Sequence, residues 1–172
     1  MSDKPLSGPL TGIKVIELGT LIAGPFCARM LAEFGAEVIK IEAPDGGDQL
    51  RQWRKMYQGT SLWWYVQARN KKSLTLNLRT AEGQQIVREL VRDADVVVEN
   101  YSASVMERFG LDYASVAPTN PRLIYCHSSG YGNDGAWAPL PTFEPLLSAV
   151  TGMLNRTGGE GNPPLTYLTH MD

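Results

Sequence analysis

The residues of this 172-residue chain that could do chemistry are few and scattered. Arg51, Arg54, Lys71, Lys72 and Arg108 are cations suited to a polyphosphate, arginine through its planar fork and lysine as a point charge. The lysine pair sits just ahead of an expected strand, where paired lysines are usually solvated and where a loop cation can also contact an anion. Glu144 and Asp172 are carboxylates of the second half, and His127 and His170 are single histidines. Glu144 falls in the first turn of an expected helix, where a carboxylate favours the dipole, so by itself it reads as a helix-start residue. His127 lies in an apolar strand and reads as a core histidine with its partner satisfied. Gln49 to Gln58 mixes Arg51, Arg54 and Lys55 with Trp53 and Tyr57. That stretch is either a solvated helix with its aromatics turned inward or a surface that holds a phosphate and a flat ring. No Walker A sequence, G-x-G-x-x-G, G-x-S-x-G or zinc spacing occurs, which argues against nucleotide hydrolysis, nicotinamide-dependent hydride transfer and α/β-hydrolase chemistry.

The elements that must position these residues begin with Ile13 to Leu18, a short β-branched run that predicts a buried strand. Gly19 and Gly24 allow a sharp exit, Pro25 suits the first turn of a helix, and Phe26, Met30, Leu31 and Phe34 recur at helical spacing. Gly35 fits a left-handed cap, and Val38 to Ile41 is the next strand. Strand, glycine turn, helix, strand is a βαβ unit, which builds a parallel sheet whose ligands sit at the carboxyl ends of the strands. Ala43 to Asp48 is a loop, and Trp63, Trp64 and Tyr65 pack the core or an interface. Leu74 to Leu78 alternates as a half-exposed strand, and Thr80 caps a helix that buries Ile86, Val87, Leu90 and Val91. Val96 to Val98 and Leu123 to His127 are strands, with Val105 to Phe109 and Tyr113 to Val116 as short helices between them. Phe143 to Met153 is a helix, and Asn155 to Pro164 a glycine-proline loop.

A chain of this length can bury a real core, and its formal net charge of −2 offers no basic field for nucleic acid or an anionic membrane. Cys27 and Cys126 read as lone thiols of a reducing, cytoplasmic compartment, without signal peptide or membrane span. The abrupt ending at Asp172 predicts a piece of a longer polypeptide, cut at an expression boundary or by cleavage.

Six segments in order give the chain a resemblance. They are Pro9 to Leu18, Ala23-Gly24-Pro25, Gly35 to Glu42, Asn70-Lys71-Lys72-Ser73, Ala94 to Tyr101, and Asn120 to Tyr125 with Ser129-Gly130-Tyr131-Gly132. Together they resemble the class III CoA-transferases, the CaiB/BaiF family, which includes formyl-CoA transferase, carnitine CoA-transferase and α-methylacyl-CoA racemase. The resemblance implies an α/β fold: a Rossmann-like open parallel sheet flanked by helices. Residues 1–172 would be the N-terminal part of the large CoA-binding domain, with a second, small domain supplied by chain beyond them. It implies transfer of CoA from an acyl-CoA donor to a small carboxylic acid, with CoA as substrate, no tightly bound cofactor and no metal. An aspartyl anhydride and then an aspartyl-CoA thioester would carry the exchange. The nucleophile maps to Asp172, after Asn162-Pro163-Pro164, and Glu144 matches an orienting glutamate. CoA contacts map to Asn100, Tyr101 and Arg108, with Lys71 and Lys72 near the phosphates. An interlocked homodimer, or association with the missing C-terminal piece, is the implied assembly.

The chain departs from the family pattern at three places. Ile22 stands where formyl-CoA transferase has glutamine, which argues against that substrate pair. Ala43 replaces an arginine on the adenine side, a loss that Arg51 and Arg54 are placed to make good. Thr142-Phe143-Glu144-Pro145 lacks the racemase histidine. The competing functions are a 2-methylacyl-CoA racemase working by α-proton exchange and a non-catalytic CoA-binding half.

Overall fold

The structure is a computed structural model that describes residues 7–102, 104–157 and 160–163. Two compact units divide the chain, Met1–Ser128 and Ser129–Asp172. The first holds the strands β1 (Lys14–Glu17), β2 (Glu37–Glu42), β5 (Lys71–Thr75), β6 (Val96–Glu99) and β7 (Ile124–His127). They form one sheet in the order β5-β2-β1-β6-β7, and every pair is parallel. Helix α1 (Ala23–Glu33) crosses from β1 to β2, and α3 (Ala81–Arg92) from β5 to β6. The short helices α4 (Val105–Phe109) and α5 (Tyr113–Val116) connect β6 to β7. A small hairpin of β3 (Met56–Tyr57) and β4 (Thr60–Ser61), followed by α2 (Leu62–Gln67), fills the excursion between β2 and β5. This is the doubly wound order, in which strand succession reverses between β1 and β6.

Alternation along the strands divides the core into two layers. Val15, Val38 and Val98 point to one face, where Ala28 and Ala32 of α1 close on them. Ile16, Ile41 and Val97 point to the other, against Val87 and Val91 of α3 and Met106, Leu111 and Val116. The expected helix after the first strand is therefore present, but its buried residues are Gly24, Pro25, Ala28 and Ala32, while Phe26 and Phe34 are exposed. Small side chains let the helix approach the sheet closely, and the bulky ones are left outside. Gly35 has φ 101° after α1, the left-handed conformation expected of it.

Three expected elements are displaced. The strand placed at Leu74 to Leu78 runs from Lys71 to Thr75, so the lysine pair is in the strand and not in a loop before it. Asn70, at φ 61°, makes the turn instead. An edge strand with one partner tolerates this polar composition, and Leu76 N–H still donates to Glu42 O at 2.9 Å. Gln49 to Gln58 is not a helix: it holds a 3-10 turn, Gln49–Gln52, and then the hairpin strand, with Trp53 and Tyr57 exposed. In the second unit, α6 (Glu144–Val150) stops short of the expected Met153, and α7 (Met153–Thr157) follows a break at Gly152, whose φ is 76°. Among the described residues, no helix is long and apolar enough to cross a membrane.

Candidate active site at the carboxyl edge of the sheet

At the reversal between β1 and β6, the exit loop of β1 is clamped from below by Asn100. Thr20 N–H donates to Asn100 Oδ1 at 2.8 Å, and Asn100 Nδ2 donates to Thr20 O at 3.0 Å. The contact is so close that a Cβ on Gly19 or Gly24 would lie 2.9 Å from Asn100 Oδ1. Glycine is required here for space, since neither residue has a positive φ.

Under the same loop lies a buried set of charges. Lys40 Nζ contacts Glu17 Oε1 and Gly19 O at 2.7 Å and Asp48 Oδ2 at 2.9 Å. Lys71 Nζ contacts Glu17 Oε2 and Pro25 O at 2.7 Å. Asp48 Oδ1 accepts from Leu21 N–H at 3.1 Å and Leu50 N–H at 2.9 Å. Two ammoniums thus balance two carboxylates, and each also holds a backbone group of the loop. Burial drags the Lys40 ammonium down, but Glu17 and Asp48 outweigh it and hold its pKa above the usual lysine value. For Lys71 burial prevails over Glu17, and its pKa is lowered.

Beside this set, Glu42 takes Arg51 through both oxygens, at 2.7 and 2.8 Å, together with Ser73 Oγ at 2.6 Å and Asp48 N–H at 3.0 Å. Burial alone would raise its carboxyl, but these partners hold it down at about 2. The Arg51 guanidinium also lies 3.8 Å from the Trp64 ring centroid. A cavity of about 250 Å³ opens here between the Ala43–Gly47 loop and Ser73 and Thr75 of β5. Arg54 makes no ion pair among the described residues and sits 4.8 Å from the Trp63 ring and 5.3 Å from the Trp53 ring. The larger cavity, about 320 Å³, lies at the amino end of the sheet between β1, β2 and α3, away from these groups.

The residues expected to act are only partly brought together. Asn100 and Tyr101 stand at the carboxyl end of β6, with Tyr101 N–H donating to Glu99 Oε2 at 2.9 Å. Burial raises the Tyr101 phenol. Lys71 reaches the same edge, but its ammonium is already held by Glu17 and Pro25. Lys72 follows it in the strand and so faces the opposite side, where it pairs with Glu37, the first residue of β2. Arg108 is exposed on α4 and donates to Ser104 Oγ at 2.8 Å. In the second unit, Glu144 is buried and accepts from Ser148 Oγ at 2.7 Å, one helical turn on. Asp172 and His170 lie outside the described residues. His127 is half-buried with its Nδ1 paired to Glu99, the satisfied histidine expected. Cys27 and Cys126 are free thiols packed against the same cluster and within each other's electrostatic reach, which 98 intervening residues concealed.

Sequence reasoning missed Glu17, Lys40, Asp48 and Glu99. A signal was present for three of them: Glu17, Lys40 and Glu99 interrupt or end apolar β-branched runs. A charge carried into a sheet core must find a partner. Asp48 had no such mark, since loops are rich in aspartate.

A family model described as CoA-transferase family III matches residues 10–171. Succinyl-CoA–D-citramalate CoA-transferase of Chloroflexus aurantiacus is 44% identical over 165 residues, 95% of this chain and 41% of the relative. Succinate–glutarate CoA-transferase of Agrobacterium fabrum is 39% identical over 173 residues, 96% of this chain and 43% of the relative. A crystal structure of a CaiB/BaiF family protein from Brucella suis superposes with a TM-score of 0.86 at 36% identity, over 93% of this chain and 43% of that one. The chain thus spans about two fifths of the length of these proteins. A match over nearly every described residue, carried by a parallel sheet of the doubly wound order, makes the chain a member of CoA-transferase family III.

Proposed function

We propose that the protein transfers CoA from an acyl-CoA thioester to a small carboxylic acid, and that residues 1–172 are the N-terminal part of its large, CoA-binding domain. The observation that carries this reading is the glycine loop after β1, pinned by Asn100 at the point where strand order reverses. Open α/β sheets bind their ligands at that point, and the family's CoA contacts map to the same strand end. Asn100 and Tyr101 would line the CoA site, with Arg108 available to phosphate as a fork. Lys71 would contribute by fixing the loop from Glu17 and Pro25, and the cavity beside Ala43 offers polar space for the far end of the ligand.

Asp172 would be the nucleophile. Its carboxylate attacks the thioester carbonyl, the C–S bond breaks and CoA thiolate leaves, giving a mixed anhydride. The thiolate then attacks the aspartyl carbonyl, releases the donor acid and forms aspartyl-CoA thioester. The acceptor carboxylate repeats the sequence in reverse and regenerates the aspartate. Glu144, oriented by Ser148, would be a polar neighbour of that chemistry. Succinyl-CoA is named for the Chloroflexus relative, and a dicarboxylic acid or its thioester is the first substrate class to try here. An interlocked homodimer is the assembly we expect of the full-length protein.

The test is to incubate the complete protein with succinyl-CoA, add hydroxylamine and map the adduct by peptide mass spectrometry. A hydroxamate on Asp172 is expected, and Asp172→Ala should lower transfer by at least about three orders of magnitude. An unmodified Asp172 with exchange of the α-proton for solvent deuterium would instead identify a racemase. CoA binding that Asp172→Ala leaves unchanged, without transfer to any acid, would identify a binding module.

A further inference from the structure

Glu99 and His127 close the carboxyl ends of neighbouring strands β6 and β7 in direct register. Alternation puts them on the sheet face opposite Glu17 and Lys40. Glu99 is 2% exposed, yet it ends a strand of valines. Its Oε1 pairs with His127 Nδ1, and its Oε2 accepts from Tyr101 N–H at 2.9 Å. Ser128 N–H donates to its carbonyl at 2.9 Å. A carboxylate only accepts, so the imidazole carries a proton on Nδ1. Hydrogen bonds therefore run from the side chain of β7, through a buried carboxylate, to the backbone of the turn after β6. The adjoining residue of that turn is Asn100, which clamps the β1 loop through Thr20.

We propose that His127 is a positioning residue: acting through Glu99, it fixes the Asn100–Tyr101 turn and so sets the affinity for the CoA moiety. The inference rests on the proposed CoA transfer and adds to it two residues from the far face of the sheet. A buried carboxylate that loses one of two directional partners rotates or draws in water, and either movement releases the Tyr101 amide. The turn then loses its fixed conformation, while the reacting groups elsewhere are untouched. The readout is ligand affinity and KM, with kcat preserved.

Two substitutions separate this role from simple packing. His127→Asn keeps an N–H near the place of Nδ1, whereas His127→Leu keeps bulk without a donor. CoA binding by calorimetry and steady-state kinetics with succinyl-CoA would be measured on the complete protein. His127→Leu is expected to raise the CoA dissociation constant and KM about tenfold or more, the scale of one lost buried hydrogen bond, with kcat within about threefold. His127→Asn should stay within about threefold of the unaltered protein in all three quantities. If His127→Leu does not fold, His127→Ala with added imidazole takes its place, and recovery of CoA affinity on adding imidazole is expected. Unchanged CoA affinity in His127→Leu, equal impairment of the asparagine and leucine variants, or no rescue by imidazole overturns the inference alone. Failure of the unaltered protein to bind CoA overturns the functional reading first and this inference with it.

Discussion

Lys40 has the most demanding position in the molecule, a lysine 2% exposed inside a parallel sheet. It is tolerated because three oxygens surround its ammonium: Glu17, Asp48 and the Gly19 carbonyl. Removing it strands two buried carboxylates, and breaking such a pair costs more than the pair contributes. Lys40→Met should therefore destabilise the protein by about 3–5 kcal/mol, read as a fall in C_m at constant denaturant slope. Glu42 supports a different test. Its folded-state pKa of about 2 lies below the model value of 4.5, so its contribution is complete above pH 4.5 and fades as pH falls toward 2. The depression corresponds to stabilisation on the order of 3 kcal/mol. Glu42→Gln should lower stability at neutral pH and flatten its loss between pH 5 and 2, followed by thermal unfolding across that range. At this scale the chain was half legible. Glu17 and Lys40 are conspicuous as charges in apolar runs, but their meeting point depends on Asp48, which only the folded loop brings beneath Leu21.

The elements that hold the site were more legible than the side chains. β1, α1, β2, α3, β6 and β7 announce themselves by period and by glycine or capping signals. Thr80, for example, accepts from Gly83 N–H at 3.2 Å as its cap position predicts. β5 did not, because an alternating apolar stretch at Leu74 to Leu78 outweighed the lysines. Periodicity reports which face is buried and says nothing of an ion pair reaching along the sheet from Lys71 to Glu17. The strand's true start also puts Lys71 and Lys72 on opposite faces, so the two cannot grip one phosphate side by side. Packing at the turn after β1 gives a prediction for this level. A methyl group on Gly24 would press on Asn100 Oδ1 at 2.9 Å and on the Gly19 Cα at 3.0 Å. Gly24→Ala should cost about 1–3 kcal/mol and weaken CoA binding, while Gly59→Ala, whose added carbon meets nothing within 4 Å, should leave binding unchanged.

For the molecule as a whole, family membership rests on six short segments that the fold gathers in and around one sheet. Each is a strand or turn whose backbone the structure uses, which is why the resemblance survived where single residues stayed ambiguous. Catalysis was less legible, because the two proposed acting carboxylates, Glu144 and Asp172, fall in the second unit. The exposed apolar side chains Phe26, Trp53, Tyr57, Tyr113, Ile124 and Phe143 suit a protein that buries further surface by association. Sedimentation of the full-length protein should give a dimer whose midpoint of unfolding rises with concentration, as mass action requires.

The reversal of strand order carries a consequence for how the chain is made. β1 is the first strand to leave the ribosome and the last to be enclosed, since one neighbour, β2, follows at once while the other, β6, begins at Val96, 79 residues after Glu17. At roughly 5–20 residues per second, the second edge of β1 waits on the order of 4–16 s for its partner. Through that interval Val15 and Ile16 present an open ladder to every other nascent chain nearby. The early βαβ unit is thus the stretch a chaperone would be expected to hold first, and slowing translation ahead of Val96 should lower the yield of soluble protein.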